Sequence, residues 1–326
     1  MLKKLKFLDS KVFLVRLVME KKVSRSGIFD KKVRHGLLYR GAQIAFNLAS
    51  RIPRSIGLFF FGQIGAFIFL FPNREKRRTL SHLRFIYGDR WTERQIRNTA
   101  RKVYIGLGKN LFDAIYLSRL SPEELNRIVH PDSLDKFRKA YELNKGVVVI
   151  TAHVGCFEML LHFFAMQGFR CFAVGRKMFD QRLEYLVRKT RSGKNIEYMD
   201  RTEGTLKLVR LLKQGRVFGV LIDQDTRVES VFATFLGHHA STPSGPLKLA
   251  MKLDIPVFVI TTARQKDNTH KVFVSEQIVL SETGDFESDL RDNVQKANDL
   301  ICSTIEKHPS QWVWMHRRWK NQPTCK

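Results

Sequence analysis

The chain has 326 residues, with 57 Lys+Arg against 31 Asp+Glu for a formal charge of +26, and 44% of it is hydrophobic. That much apolar material excludes a disordered basic tail and suits about two domains, or one large α/β domain with an appendage; the charge calls for an anionic partner, whether nucleic acid, acidic protein, phosphorylated substrate or membrane face. Four widely spaced cysteines, Cys156, Cys171, Cys302 and Cys325, form no C-x-x-C pair, so neither a disulfide framework nor a cysteine zinc site is indicated.

Residues 1–23 interleave Lys and Arg with apolar residues and lack the continuous apolar stretch of a secretory signal, so the catalytic mass is expected in the cytoplasm. The first 54 residues carry a net charge of +11. Residues 55–71 then contain no charge at all, S-I-G-L-F-F-F-G-Q-I-G-A-F-I-F-L-F. As a helix this run is about 26 Å long, slightly short for a hydrocarbon core of ~30 Å. Both flanks are basic, with Arg51 and Arg54 before it and Arg74, Lys76, Arg77 and Arg78 after it. Equal flanks do not favour opposite sides of a bilayer, so a helix lying in or dipping into an anionic leaflet is expected.

From residue 73 onward the pattern is that of a globular domain. Thr92-Glu93-Arg94-Gln95 and Ser121-Pro122-Glu123-Glu124 both predict helix starts with capping boxes. Strands are predicted at 147–151, 170–174, 217–222, 257–262 and 271–274, with helices at 157–167, 205–214 and 246–252, and a last amphipathic helix through Leu290, Val294, Ala297, Ile301 and Ile305. The alternation predicts a mixed α/β sheet flanked by helices. Two regions follow: residues 1–72 as a basic N-terminal region with a membrane-associated helical segment, and 73–326 as the α/β domain.

Chemistry concentrates where the first strand stops, in V-V-V-I-T-A-H-V-G-C-F-E. His153 falls in a turn at the carboxyl end of a strand, where α/β folds handle ligands. Glu158 falls in the first turn of the next helix, from which its carboxylate can reach the imidazole, orient its tautomer and stabilise the imidazolium. The plain alternative is a capping histidine with an ordinary first-turn Glu. Cys156 offers a Cys-His nucleophile pair, against which core packing is the better reading. Asp223 and Asp225 close a buried strand as D-x-D, which suits a divalent metal and a nucleotide-sugar, as in glycosyltransferases, or basic groups around a phosphorylated lipid. Arg188, Lys189, Arg191 and Lys194 cluster within seven residues, as a solvated loop or as a contact for phosphate or an acidic carrier. Gly237-His238-His239 reads as loop, and residues 242–246 as a rigid turn feeding a helix.

Six stretches in order, from I-P-R-S-I-G-L-F-F-F-G through H-V-G-C-F-E, R-S-G-K-N-I-E-Y-M-D-R, the strand ending D-Q-D and V-F-A-T-F-L-G-H-H-A-S-T-P-S-G-P to W-V-W-M-H-R-R-W-K, resemble the lipid A biosynthesis acyltransferases. These late lauroyl/myristoyl transferases lie within the wider H-x4-D/E acyltransferases, and the resemblance runs from about Ile52 to Trp319. It implies transfer of a fatty acyl chain from an acyl carrier protein thioester to a hydroxyl of a Kdo-bearing, phosphorylated glycolipid at the cytoplasmic face of the bacterial inner membrane. No cofactor or metal is implied, and there is no acyl-enzyme. His153 resembles the general base and Glu158 its partner. Arg191 resembles the family's basic substrate-site residue and Asp223 its strand-end acid; Arg176, Arg188 and Asp225 complete the expected substrate-binding set. Cys156-Phe157 departs from the Asn-Trp common in the family. The expected partners are acyl carrier protein, the glycolipid and anionic membrane lipids, with no nucleic acid; the alternative is a metal-dependent glycosyltransferase using Asp223 and Asp225 on a membrane lipid.

Overall fold

The computed structural model describes residues 51–175, 193 and 195–322, together with Gly36, Arg40, Gly41, Gln43, Ile44 and Asn47. Helix α1 (Arg54–Leu70) starts at Arg54 and holds nearly all of the uncharged run, and after a break at residues 71–73 the chain turns by 87° into α2 (Arg74–Tyr87). Asn73 caps α2 by accepting from the Lys76 N–H. Among the described residues no single helix is long and apolar enough to cross a membrane; α1 with the charged α2 forms one bent pair that reaches that length and composition only when the two are taken together.

Helix α3 (Glu93–Tyr116) and helix α4 (Pro122–Ile128) start at the capping boxes predicted for Thr92 and Ser121. The short strand β1 (Val129–Pro131) and helix α5 (Asp135–Glu142) lead to β2 (Val147–Thr151), which is buried along its whole length, as a strand covered on both faces must be. Then come α6 (Glu158–Met166), β3 (Cys171–Gly175), β4 (Ile196–Asp200), α7 (Gly204–Lys213) and β5 (Val217–Leu221). An antiparallel hairpin of β6 (Ser230–Phe235) and β7 (His238–Pro243) precedes α8 (Gly245–Leu253), and β8 (Val257–Arg264), β9 (His270–Val274) and α9 (Phe286–Lys307) complete the order.

The seven-stranded sheet runs β1-β9-β8-β2-β5-β3-β4 and is mixed, because β8 and β9 pair antiparallel while every other pair is parallel. Alternate residues of β2 and β5 feed two cores. Val148, Ile150, Phe218 and Val220 pack with α2, α3, α7, α8 and α9. Val147, Val149 and Val217 pack with α4, α5 and α6 on the opposite face. The hairpin is a correction to the sequence reading, which took His238-His239 as loop and residues 242–246 as a turn. β6 sets Ala233 and Phe235 into the core, whereas β7 has no large apolar residue, and long-range contacts hold the pair: Arg318 donates to Ser241 O and Thr242 Oγ1, and Asn298 Nδ2 donates to Thr234 O.

α1 is apolar all round, so its two faces differ in what covers them. Gly57, Gly62, Gly65 and Phe69 face the body of the protein, whereas Ile56, Phe59, Phe60, Ile64, Phe67 and Leu70 are each 45–66% exposed. The covered face lies against α3 at backbone range. A Cβ on Gly65 would stand 2.1 Å from Tyr104 O, and one on Gly108 would stand 2.0 Å from Phe61 O. Backbone cannot yield as a flexible side chain can, so Gly108→Ala is expected to cost ~1–3 kcal/mol, read as a lower thermal midpoint and faster proteolysis near α1. Gly106→Ala, where the nearest atom to a Cβ is Ser310 O at 3.9 Å, serves as the tolerated control on the same helix.

Candidate active site

β2 ends at Thr151, and the chain turns through His153 and Gly155 before α6 begins. Gly155 has φ +57°, and a Cβ there would meet Thr262 O at 2.3 Å, so both conformation and crowding call for glycine. The turn is held from outside: Gly155 N–H donates to Gln311 O, and Asn110 Nδ2 donates to Gly155 O at 2.7 Å. Because Thr151 pairs with Leu221 across β2 and β5, two residues further on His153 comes opposite Asp223. His153 Nδ1 lies 2.7 Å from Asp223 Oδ1, the His153 backbone N–H donates to Asp223 Oδ2 at 2.8 Å, and Trp312 Nε1–H donates to the same oxygen at 2.8 Å. Both side chains are buried. Burial alone would raise the Asp223 pKa, but the charge and hydrogen bonds of His153 and the Trp312 donor outweigh it and hold the carboxyl well below the usual carboxylate range.

With the Nδ1 proton donated to Asp223, Nε2 is left as the basic nitrogen. Gln224 Nε2 lies 3.1 Å from Nδ1 and 2.8 Å from Nε2, and 2.7 Å from His316 Nε2. One atom almost equally near both ring nitrogens rests against the ring and is not aligned with the in-plane lone pair of either. The Phe157 ring packs edge-on to His153, with 4.8 Å between centroids, and lines an apolar cavity of about 100 Å³ between α6 and the sheet.

A carboxylate the sequence reading had not paired with the ring, Asp223, therefore sits on the Nδ1 side of the imidazole. Strand register brings Asp223 to the ring from another strand, while Glu158 opens α6 and lines the same cavity as Phe157. Asp225 does not join Asp223. Its carboxylate accepts from the Asn321 backbone and side chain and pairs with Lys320 at 3.2 Å, so it fastens the C-terminal segment. The two acids considered together for a metal thus serve different partners. Arg176, Arg188 and Arg191 lie outside the described residues. Cys156 is buried and burial pushes its thiol up, against a thiolate nucleophile and with the core-packing reading. Sequence reasoning missed Gln224, Trp312 and His316. The sequence holds them in D-Q-D and W-V-W-M-H, but nothing local to either run names a partner.

A family profile described as bacterial lipid A biosynthesis acyltransferase matches residues 28–321. Among curated proteins the chain is similar to the lipid A biosynthesis palmitoleoyltransferase of Escherichia coli (strain K12), 24% identical over 202 residues, which is 59% of this chain and 61% of that protein. It is similar to the same extent to the lipid A biosynthesis acyltransferase of Shigella flexneri. The chain thus spans about three-fifths of the length of the curated relatives it matches.

A second buried carboxylate supports the turn from the side of α1 and α3. Asp113, 1% exposed, accepts from Arg54 Nε at 2.8 Å and lies 2.8 Å from Arg264 NH1 and 3.0 Å from His270 Nε2. Arg264 NH2 in turn donates to Asn110 Oδ1, and Asn110 holds Gly155. Burial lowers the His270 pKa to about 4, with the Asp113 hydrogen bond opposing and Arg264 and Arg54 reinforcing that shift. Folded His270 stays neutral where the unfolded chain takes up a proton, so its contribution to stability is present above pH ~6.5 and is lost between there and about pH 4. The thermal midpoint is expected to fall by several degrees from pH 7 to pH 5. His270→Asn should flatten that slope, leaving the part owed to His82 and His308, which burial also lowers; an unchanged slope contradicts the assignment.

Proposed function

The chain belongs to the bacterial lipid A biosynthesis acyltransferases, and on that premise we propose that it transfers a fatty acyl chain from an acyl carrier protein thioester to a hydroxyl of a Kdo-bearing lipid A precursor. The observation that carries the reading is a buried His153 whose Nδ1 side is held by Asp223, leaving Nε2 as the base. The acceptor hydroxyl gives its proton to Nε2 as its oxygen attacks the thioester carbonyl carbon. Asp223 stabilises the imidazolium, and Glu158, in the first turn of α6, is the second carboxylate of the proposed site. The tetrahedral intermediate then collapses, the C–S bond breaks, and the departing thiolate takes the proton from the imidazolium, leaving an ester and a free thiol. No enzyme nucleophile is used. Arg176, Arg188 and Arg191 remain the proposed cations for carrier or acceptor phosphate.

The proposed setting is the cytoplasmic face of the inner membrane. A helix whose exposed face carries Phe59, Phe60, Ile64 and Phe67, between basic flanks, suits the interface of an anionic leaflet better than water. Phe59→Asp with Phe67→Asp is expected to release the protein from vesicles containing anionic lipid in a flotation assay. Retained binding would argue against an α1-mediated seat.

Membranes holding the protein, given acyl carrier protein thioesters and the Kdo-bearing precursor, are expected to produce a lipid heavier by one acyl group. His153→Ala should lower turnover by about 10²–10⁴-fold, and Asp223→Asn by at least ~10²-fold, since it releases the tautomer that keeps Nε2 basic. Glu158→Gln should lower turnover too. Insensitivity to chelators separates this reading from a metal-dependent glycosyltransferase, for which the lipid would instead gain the mass of a sugar.

A further inference from the structure

The apolar cavity beside the candidate site combines two features that fit one kind of ligand. One end lies at the carboxyl ends of the strands, where Thr151 on β2 and Leu221 on β5 meet Phe157 and Glu158. Phe157 touches His153, so this end adjoins the imidazole. From there the cavity runs down the α6 side of the sheet past the Val149–Gly219–Ala173 row to Val217 and Cys171, about 13 Å at ~3.3 Å per residue. Gly219 gives it depth: a Cβ built there meets no atom within 4 Å. Thr151 is 7% exposed, and its hydroxyl, alone among polar groups at that end, is buried without a hydrogen-bond partner among the described residues. A buried hydroxyl left unmatched costs ~1–3 kcal/mol, so it calls for an acceptor that arrives with a ligand.

We propose that this cavity seats the acyl group being transferred, with the Thr151 hydroxyl donating to the acyl carbonyl oxygen and Gly219 setting how much hydrocarbon is admitted. The inference rests on the transfer reading above and specifies its substrate pocket. An acyl thioester has a polar acceptor at one end of an apolar chain, the same order in which the cavity presents its donor and its lining. At about 100 Å³ the cavity is smaller than the ~150 Å³ that holds one benzene ring, so it takes part of the chain. As the acceptor oxygen adds to the carbonyl carbon, the carbonyl oxygen becomes the oxyanion, to which the Thr151 O–H bond is strongest; the C–S bond then breaks and the thiolate leaves with the His153 proton.

The test measures lipid products by mass for acyl carrier protein donors of several chain lengths, and separately for acceptors whose own acyl chains differ in length. Gly219→Val is expected to change the ratio of short-donor to long-donor turnover by at least ~10-fold in favour of short, and Val217→Ala to shift it toward long. Thr151→Val should lower turnover by ~10²-fold for every donor length. A donor-length profile unmoved in both cavity variants overturns the proposal, as does a changed preference among acceptor chains in place of donor chains. Should Gly219→Val fail to fold, Val217→Ala decides alone. If the unsubstituted protein transfers no acyl group from any donor, the transfer reading falls and this inference with it; an active parent with an unmoved profile removes the inference only.

Discussion

The pairing of His153 with Asp223 organises the structure around it. Taking a carboxylate fully out of water costs several kcal/mol unless its oxygens are matched, and here three donors from two segments do so: the ring and backbone N–H of His153, and the indole of Trp312. Each imposes a constraint. The ring and backbone contacts need β2 and β5 in parallel register, so that the residues two beyond Thr151 and Leu221 meet. The indole needs the chain after α9 to return across the turn, where Val154 bridges Trp312. Arg78 and His82 of α2 then hold that returning segment at Met315 O and Trp314 O. A central strand, a neighbouring strand, the C-terminal segment and the helix after the apolar run are thus all committed to one buried, hydrogen-bonded carboxylate.

The second carboxylate, Asp113, works at the boundary between the apolar helix and the sheet. It ties Arg54, the first residue of α1, to Arg264 at the end of β8 and to His270 at the start of β9. Through Asn110 the same network ends on the turn that carries His153. α1 is therefore anchored by charge at its first residue and by glycine-mediated backbone contact along α3, while its outer face stays apolar. In the proposed setting, the +11 of the first 54 residues would draw that face toward an anionic surface.

Much of this was legible because local chemistry was strong. The capping boxes at Thr92 and Ser121 start their helices as predicted, and strand 147–151 is β2 without adjustment. The misses share a cause. β4 is the short I-E-Y-M-D, and β7 of the hairpin is written His238-His239-Ala240-Ser241-Thr242, with no large apolar residue for periodicity to detect. Asp223 was recognised as a strand-end acid but not as the partner of His153, seventy residues earlier, because register between parallel strands is a tertiary property. His316 and Trp312 stood in a tryptophan-rich run that pattern alone could not connect to a site.

The same register also bears on how two large substrates could meet at one imidazole. Even-numbered residues of β2 and β5 face the core shared with α2 and α3, the helices next to α1; odd-numbered residues face α6 and the apolar cavity. His153 sits beyond the end of β2, at the ridge between these layers. In the proposed reaction, an acceptor lipid resting on the α1 side and an acyl chain seated on the α6 side would approach the ring from opposite faces of the sheet without competing for room. A nucleophilic hydroxyl and a thioester carbonyl need that separation, since attack runs toward the carbonyl carbon from one side while its chain extends away on the other. The parallel β2–β5 pair thus does two jobs with one register: it sets Asp223 on His153, the proposed base, and it divides the space on either side of it.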